Sequence, residues 1–114
     1  MTAPRDPRVY LEDILQSITS IEEYTRDMSF EIFATDRRTQ DAVVRNLEVI
    51  GEAAKRIPAN MREANPEIAW RPAAAMRDFF IHDYPEVDVQ AVWDTITTDL
   101  PPFKKGIERL YGKN

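Results

Sequence analysis

Residues 36–57 read DRRTQDAVVRNLEVIGEAAKRI, and this stretch decides the fold class. Its apolar residues recur at intervals of four and three positions, which places them on one face of a helix. Pro58 follows directly and ends the pattern, because proline has no N–H to continue a helix. The stretch therefore predicts one long amphipathic helix, whose buried stripe consists of Val43, Leu47, Ile50, Ala54 and Ile57.

The same spacing of apolar residues, by three and four positions, occurs in the sequence before this helix. Asp6 and Pro7 form a helix start, with a capping carboxylate followed by proline in the first turn. The first helix is expected to run for about six turns, up to Met28, because its apolar positions keep the same spacing. Its apolar stripe comprises Leu11, Ile14, Ile18, Ile21 and Met28. Thr25 stands at the one position of this spacing that is not apolar. Ser29 then resembles a new cap, which starts a short helical turn in FEIF, residues 30–33.

Two further helices are expected downstream. The third begins near Pro72 and continues through Tyr84, since the proline at position 85 disfavours helical geometry in the residue before it. The last begins after Asp88 and keeps its apolar rhythm across Pro101-Pro102, as one kinked helix or two nearly coaxial ones. Residues 59–70 form a connector with about one helical turn. Strand and hairpin signals are almost missing. The sequence thus predicts an all-α, up-and-down four-helix bundle in a single domain, residues 1–114.

Composition restricts the class of protein. A chain of 114 residues with 43% hydrophobic and 31% charged residues fits one soluble domain. The absence of cysteine excludes disulfides, thiol nucleophiles and thiolate metal sites. No apolar run approaches the roughly 20 residues that span a bilayer, and the N-terminus has no hydrophobic signal core, so we expect a cytoplasmic protein without a membrane partner.

The distribution of charge leaves two interpretations open. The net charge of −5 counts against broad, non-specific nucleic-acid binding, which needs clustered lysine and arginine. Residues 36–77, however, carry eight basic and six acidic side chains, and this mildly basic stretch leads directly to Arg77. This distribution indicates either a local cationic site in an otherwise acidic protein or a chance distribution of the charged residues.

Residues 77–84, RDFFIHDY, contain the only histidine of the chain, His82. A lone histidine near a helix end is often a surface residue or a C-terminal cap. It is a poor basis for a metal site, and the sequence has no Gly-x-Ser-x-Gly motif for a serine triad. Together, however, Arg77, His82 and Tyr84 offer the groups that metal-free RNA cleavage needs. A base takes the proton of the 2′-hydroxyl, this oxygen attacks the neighbouring phosphorus, and a cation stabilises the developing charge.

The spacing of the pair raises a geometric difficulty. Positions 77 and 82 lie about 140° apart around an ideal helix, so Arg77 and His82 would not meet on a regular one. Either the helix breaks before His82, or the two side chains converge across a two-fold axis between two copies of the chain. We favour the homodimer, with or without a local distortion.

The stretch MRDFFIHDY, residues 76–84, resembles the R-x-x-x-x-H-x-Y pattern of the HepT-like branch of the HEPN superfamily. Three other stretches resemble the corresponding parts of HepT-like proteins in the same order, so the resemblance covers roughly residues 8–110. They are YLEDILQSITSIEEYT (10–25), RRTQDAVVRNLEVIGEAAKRIP (37–58) and VWDTITTDLPPF (92–103).

The resemblance implies a helical homodimer in which the two motifs face a shared cleft. It also implies a metal-independent endoribonuclease without a cofactor, which acts on RNA as the toxin of a prokaryotic toxin–antitoxin pair. The partner would be a minimal nucleotidyltransferase that neutralises the toxin by adding AMP to the motif tyrosine. Carried onto this sequence, Arg77 and His82 are the catalytic pair, Asp78 is a supporting residue and Tyr84 is the modification target. The alternative is a non-catalytic nucleotide- or RNA-binding module that serves as partner of the nucleotidyltransferase.

Two positions depart from the pattern of the family. Asp83 stands where many relatives carry glycine, and Pro85 replaces a frequent aromatic residue, so RNA affinity could be reduced. Arg45 and Glu52 resemble recurrent polar positions of relatives. For these two residues a buried salt bridge, a dimer contact and a substrate contact all remain open.

Four other residues are expected to have structural roles. Trp70 and Trp93 stand at helical positions and are predicted to be core or interface anchors rather than platforms for stacking a base. Lys104 and Lys105 are predicted to lie on a solvated helix face.

Overall fold

The computed structural model describes residues 6–81 and 88–112, and within these ranges all regular structure is helical. The all-α class predicted from the sequence is therefore confirmed. In chain order the elements are α1 (Pro7–Tyr24), α2 (Phe30–Thr35), α3 (Arg37–Arg56), α4 (Ala59–Ala64), α5 (Trp70–Ala75), α6 (Asp78–Ile81), α7 (Val89–Asp94), a π-helical segment (Thr95–Asp99) and α8 (Leu100–Gly112).

Helix α3 is the centre of the fold. It packs against α1 on one side and against α2, α5 and α6 on others, while α1 also contacts α8. Asp36 caps its start, because its carboxylate accepts a hydrogen bond from the backbone N–H of Thr39 at 3.1 Å. Every residue of the stripe predicted for residues 36–57 is at most 2% exposed. The apolar periodicity of residues 36–57 thus identified the core face of this helix correctly.

Helix α1 ends earlier than the sequence predicted. Leu11, Ile14, Ile18 and Ile21 are buried as expected, but the helix ends at Tyr24 instead of reaching Met28. Asp27 adopts a positive φ of 61°, a left-handed conformation that a helix does not contain and that aspartate tolerates better than most residues. Met28 still packs partly against the core after this turn. Ser29 caps α2 as predicted, because its hydroxyl accepts from the N–H of Ile32.

The last helical stretch stays helical across its two prolines. Pro101 and Pro102 cannot donate to the carbonyls one turn earlier. A π-helical segment lies directly before the two prolines. At its end the N–H of Leu100 donates to the carbonyl of Thr95, five residues back. The apolar residues of this last helical stretch still face the core across the prolines. The buried ones are Val92, Ile96, Leu100, Phe103, Ile107 and Leu110. The prolines therefore mark the position at which α geometry is interrupted.

Both tryptophans contribute to the packing of the core, as predicted. Trp93 packs its ring 5.1 Å from that of Phe33, and Trp70 meets Phe103 edge-to-face at 6.0 Å. The indole N–H of Trp70 donates to the carbonyl of Asn65. Their aromatic faces are used for internal contacts within the chain.

The prediction for Lys104 and Lys105 was half right. Lys105 is exposed, as expected. Lys104 instead donates to both carboxylate oxygens of Glu22, at 2.9 and 3.0 Å, and so ties α8 to α1. No helix within the described ranges combines the length and the apolar character needed to cross a membrane.

The prediction of one continuous third helix was wrong. Helix α5 ends at Ala75, the chain makes a turn at Met76 and Arg77, and α6 starts at Asp78. The turn is tighter than an α-helical one, since the N–H of Met76 bonds the carbonyl of Ala73, three residues back. It allows Met76 to be buried in the core, at 3% exposure. The break therefore lies at the start of the motif, since residues 78–81 are helical, and the approach of Arg77 to His82 stays a prediction because position 82 lies outside the described residues.

Candidate functional site

The candidate site begins with a close contact between two backbones. Gly51, in the middle of α3, lies so near the α5–α6 turn that a Cβ placed on it would sit 2.7 Å from the backbone nitrogen of Arg77. The same Cβ would meet the Cβ of Arg77 at 2.9 Å and the carbonyl oxygen of Ala74 at 3.0 Å. Only glycine permits this approach, because it has no side chain to separate the two elements. Gly51 therefore fixes the distance between Arg77 and α3.

The residue after this glycine holds the arginine side chain. Nη1 of Arg77 donates to Oε1 of Glu52 at 2.6 Å, a short charge-assisted hydrogen bond. The Arg77 side chain is 32% exposed and that of Glu52 is 42% exposed, so the pair lies at the surface. A guanidinium has five N–H donors in a planar fork. The contact with Glu52 uses one N–H of Nη1, and the group has further donors with which to bind an anion.

The pair changes the protonation of both partners. The hydrogen bond from Arg77 lowers the pKa of the Glu52 carboxyl below its ordinary value, and the charge of Arg77 adds to this effect. The hydrogen bond to Glu52 raises the pKa of Arg77, with a smaller contribution from the charge of Asp78. Both shifts favour the charged forms, so the two groups remain an ion pair at neutral pH.

The predicted site residues divide into two groups. Arg77 lies at the turn and Asp78 is exposed at the first position of α6, directly beside it. His82, Tyr84, Asp83 and the proline at position 85 lie outside the described residues. Within residues 6–81 and 88–112, His, Asp and Glu side chains form no group of three that could hold a metal ion.

A groove lies between α1 and α3, and Glu52 is the member of the Arg77–Glu52 ion pair that lines it. The groove has a volume of about 230 Å³. Glu48 contributes a carboxylate oxygen, Oε2, that is shielded from solvent and has no hydrogen-bond donor among the described residues. This oxygen lies 3.6 Å from Nη1 of Arg45, whose side chain is 67% exposed. The residues that line the groove are Tyr10, Asp13, Arg45, Glu48, Val49, Glu52, Ala53 and Arg56.

Comparison with known proteins places this helical chain in one family. The family model described as "Ribonuclease HepT-like" matches residues 14–110, which include both the pair and the RDFFIHDY stretch. The chain belongs to the HepT-like ribonuclease family. The resemblance noted in the sequence is thereby confirmed, and the prediction of a ribonuclease is confirmed at the level of the family.

Three relatives of this HepT-like chain match it over nearly their full length. "Probable ribonuclease HepT" from Thermococcus cleftensis is 49% identical over 106 residues, which cover 93% of this chain and 96% of the relative. A "Putative RNase" from Methanocaldococcus jannaschii is 42% identical over 93% of this chain and 91% of its own. One from Caldanaerobacter subterraneus is 38% identical over 96% and 97%, respectively. No solved structure matches this chain significantly.

Sequence reasoning about this HepT-like chain missed the partnership of Glu52 with Arg77. It left Glu52 open between a buried salt bridge, a dimer contact and a substrate contact, and the structure shows a salt bridge within the chain that lies at the surface instead of being buried. It did not single out Gly51 at all. The available signal was a glycine inside an otherwise strong helix pattern, which often marks a close approach of another backbone.

Proposed function

We propose that this protein is a metal-independent endoribonuclease that acts as the toxin of a prokaryotic toxin–antitoxin pair in the cytoplasm. The observation that carries the proposal is the position of Arg77. A short turn separates it from α5, Gly51 allows it close to α3, and Glu52 binds Nη1 of its guanidinium. The motif that the family model covers continues directly from this arginine.

In the proposed reaction Arg77 binds the scissile phosphate and stabilises the charge that develops on it. His82 takes the proton of the ribose 2′-hydroxyl, and the resulting oxygen attacks phosphorus while the P–O5′ bond breaks. The departing 5′-oxygen takes up a proton, which the imidazolium returns through water, and becomes a 5′-hydroxyl. The product is a 2′,3′-cyclic phosphate. Asp78 supports Arg77, because its charge acts on the guanidinium in the same sense as that of Glu52. RNA is the substrate because DNA lacks the attacking hydroxyl.

The proposal includes assembly and control. We propose a HEPN-like four-helix bundle in one domain, with α1, α3, the broken α5–α6 pair and the stretch α7–α8 as its four parts, and a homodimer in which two motifs share a cleft. A minimal nucleotidyltransferase acts as antitoxin and adds AMP to Tyr84. The added phosphate is anionic and bulky, so it repels the RNA backbone and fills the cleft.

The test is RNA cleavage by the purified chain in the presence of a metal chelator. We expect cleavage with cyclic phosphate ends, and a loss of about 100-fold or more for Arg77→Ala and for His82→Ala. Arg71→Ala is the matched control, because Arg71 is an exposed arginine on α5 outside the site. Cleavage by His82→Ala at the parental rate would refute the assignment. Tyr84→Phe should still cleave RNA but escape neutralisation when the nucleotidyltransferase is present.

A second function is favoured by the charge balance of the site. The charge of Arg77 is already paired with Glu52, and the chain carries a net charge of −5, which suits a protein partner better than bare RNA. In that case the chain is a non-catalytic nucleotide- or RNA-binding module that serves the nucleotidyltransferase as its substrate. The purified protein would then leave RNA intact and still accept AMP.

A further inference from the structure

The outer face of α3 lies opposite the buried stripe of the helix and carries charges of both signs at intervals of three and four positions. It consists of Asp41, Arg45, Glu48, Val49, Glu52 and Arg56. Asp41 and Arg56 are exposed and form no ion pair with a described residue. The Arg45 side chain is 67% exposed, and its contact with Glu48, at 3.6 Å, leaves most of its N–H donors free to bind another group. These charges are therefore available to a second molecule.

The order of the charges is complementary to itself when the helix is reversed. Two copies of α3 can run antiparallel about a two-fold axis between positions 48 and 49. Asp41 then lies opposite Arg56 of the partner subunit, and Arg45 lies opposite Glu52 of the partner subunit. A two-fold axis makes every such contact twice, so each of these pairs of opposite charge occurs twice in the dimer.

The charges also specify the register of this pairing. A shift of the partner by one helical turn in one direction would set Asp41 opposite Glu52 of the partner subunit. A shift in the other direction would set Arg45 opposite Arg56 of the partner subunit. Both shifts juxtapose like charges, which is unfavourable across an interface. A face whose charges were only solvated would not need this order.

The residue beside the proposed axis is apolar. Val49 is partly buried and lines the groove between α1 and α3 together with Tyr10 and Ala53. The centre of the paired faces is thus apolar, with charged residues on either side of it. Interfaces between protein chains commonly have an apolar centre and a polar rim.

The same axis brings two copies of the candidate site together. Glu52 and the partner's Glu52 would lie about 10 Å apart along the helices, at the rise of an α-helix. Arg77 occupies Oε1 of Glu52, and Oε2 accepts no hydrogen bond from a described residue. The partner's Arg45 can bind this second oxygen, so one carboxylate would be held by arginines of both chains.

We propose that two copies of this chain pair through the outer face of α3, antiparallel about a two-fold axis beside Val49. In each site the partner's Arg45 binds Glu52 and is a positioning residue for Arg77. The inference rests on the proposed function, because it names the face and the register of the homodimer proposed there.

The first test reverses the charges of a pair outside the site and measures the dimer by analytical ultracentrifugation of the full chain. Asp41→Arg and Arg56→Asp should each raise the Kd of the dimer about 10-fold or more, because symmetry places each change in two contacts. The double variant restores opposite charges and should dimerise more tightly than either single variant. Glu63→Arg and Arg71→Asp make the same charge changes at exposed positions on α4 and α5 and should dimerise like the wild type.

Circular dichroism identifies any variant that has lost its helices. A monomeric wild type, or single variants that fold and dimerise like the wild type, would overturn the interface. A double variant no tighter than the single ones would overturn the antiparallel register.

The second test uses the absence of cysteine from the chain. Val49→Cys introduces one thiol per chain. Packed helices lie about 8–10 Å apart from axis to axis, which brings two Cα atoms beside a two-fold axis within range of a disulfide. Mild oxidation should give a covalent dimer of Val49→Cys, whereas Glu63→Cys should remain monomeric. A Val49→Cys protein that stays monomeric after oxidation contradicts the position of the axis.

The third test asks whether Arg45 acts on the site of the other chain. At concentrations above the Kd of the dimer, Arg45→Ala should cleave RNA about 10-fold more slowly because Arg77 is less well positioned. Mixing it with Arg77→Ala in equal amounts should restore about a quarter of the parental rate, since half of the dimers are mixed and each of these has one complete site. A mixture no faster than the average of its two components refutes action between chains.

The outcomes separate this inference from the proposed function. If the wild type cuts no RNA, the proposed function fails, and sedimentation and cross-linking still decide the interface. Sedimentation also tests the contact of Arg45: an Arg45→Ala dimer as tight as that of the wild type refutes the contact whether or not RNA is cut.

Discussion

Replacement of Gly51 by alanine tests whether the close contact of two backbones positions the site. A Cβ at this position would lie 2.7 Å from the nitrogen of Arg77 and within 3.0 Å of two further atoms of the α5–α6 region. Two of the three atoms belong to the backbone, so no change of rotamer relieves the contact. Alanine gains about 1 kcal/mol in helix propensity over glycine, while overpacking costs about 1–3 kcal/mol. We expect the second effect to be larger, with a net loss of about 1 kcal/mol.

The assay combines urea unfolding with RNA cleavage per folded molecule. Gly51→Ala should unfold at lower urea and cleave more slowly, because Arg77 is pushed away from Glu52. Gly106→Ala is the matched control. Its Cβ would approach the buried side chain of Ile68 as closely, at 2.8 Å, but makes no contact with Arg77. It should also lose stability, yet retain full cleavage per folded molecule. A Gly51→Ala protein with parental stability and parental cleavage would refute the reasoning.

Two further outcomes follow from the structure. Because Arg77 lowers the pKa of Glu52, their pair stabilises the folded state above the ordinary pKa of 4.5 and loses this contribution as the pH falls through the lowered value. Glu52→Gln should therefore unfold more easily than wild type at neutral pH, and the difference should shrink in acid; a difference independent of pH would contradict the ion pair. Asp88 caps α7 through the N–H of Ala91, so Asp88→Ala should cost about 1 kcal/mol in urea unfolding, whereas Asp88→Asn should cost a few tenths. Equal stability of the two variants would show that the cap contributes nothing.

The helices were predictable because their signals are local. A stripe of apolar residues spaced by three and four positions specifies a buried face within one element, as Leu47 and Ile50 illustrate in α3. The caps at Asp6 and Ser29 were equally predictable, since each needs only a side-chain oxygen and a backbone N–H two or three residues further along the chain.

The break before α6 was not predictable in the same way. Residues 73–81 contain neither glycine nor proline, and Pro72 stands in the first turn of α5 as expected. The chain turns at Met76 because burial of that side chain and contact of Arg77 with Gly51 are both satisfied by a tighter turn. These partners lie far apart in sequence, and tertiary contacts of this kind override local preference. The Arg77–Glu52 pair could not be predicted for the same reason, because its two residues lie 25 positions apart in the sequence.

The exposure of the Arg77–Glu52 pair indicates what the pair does. Surface ion pairs contribute little to stability, because water screens the charges and two long side chains must be ordered. What Glu52 does provide is direction, since an arginine held at Nη1 has far fewer orientations than a free one. Gly51 restricts the backbone of the same arginine from the other side. Two consecutive residues of α3 thus fix the main chain and the side chain of Arg77 separately. In the proposed reaction this means that the phosphate meets a cation whose orientation is already set, so little ordering remains to be done when RNA binds.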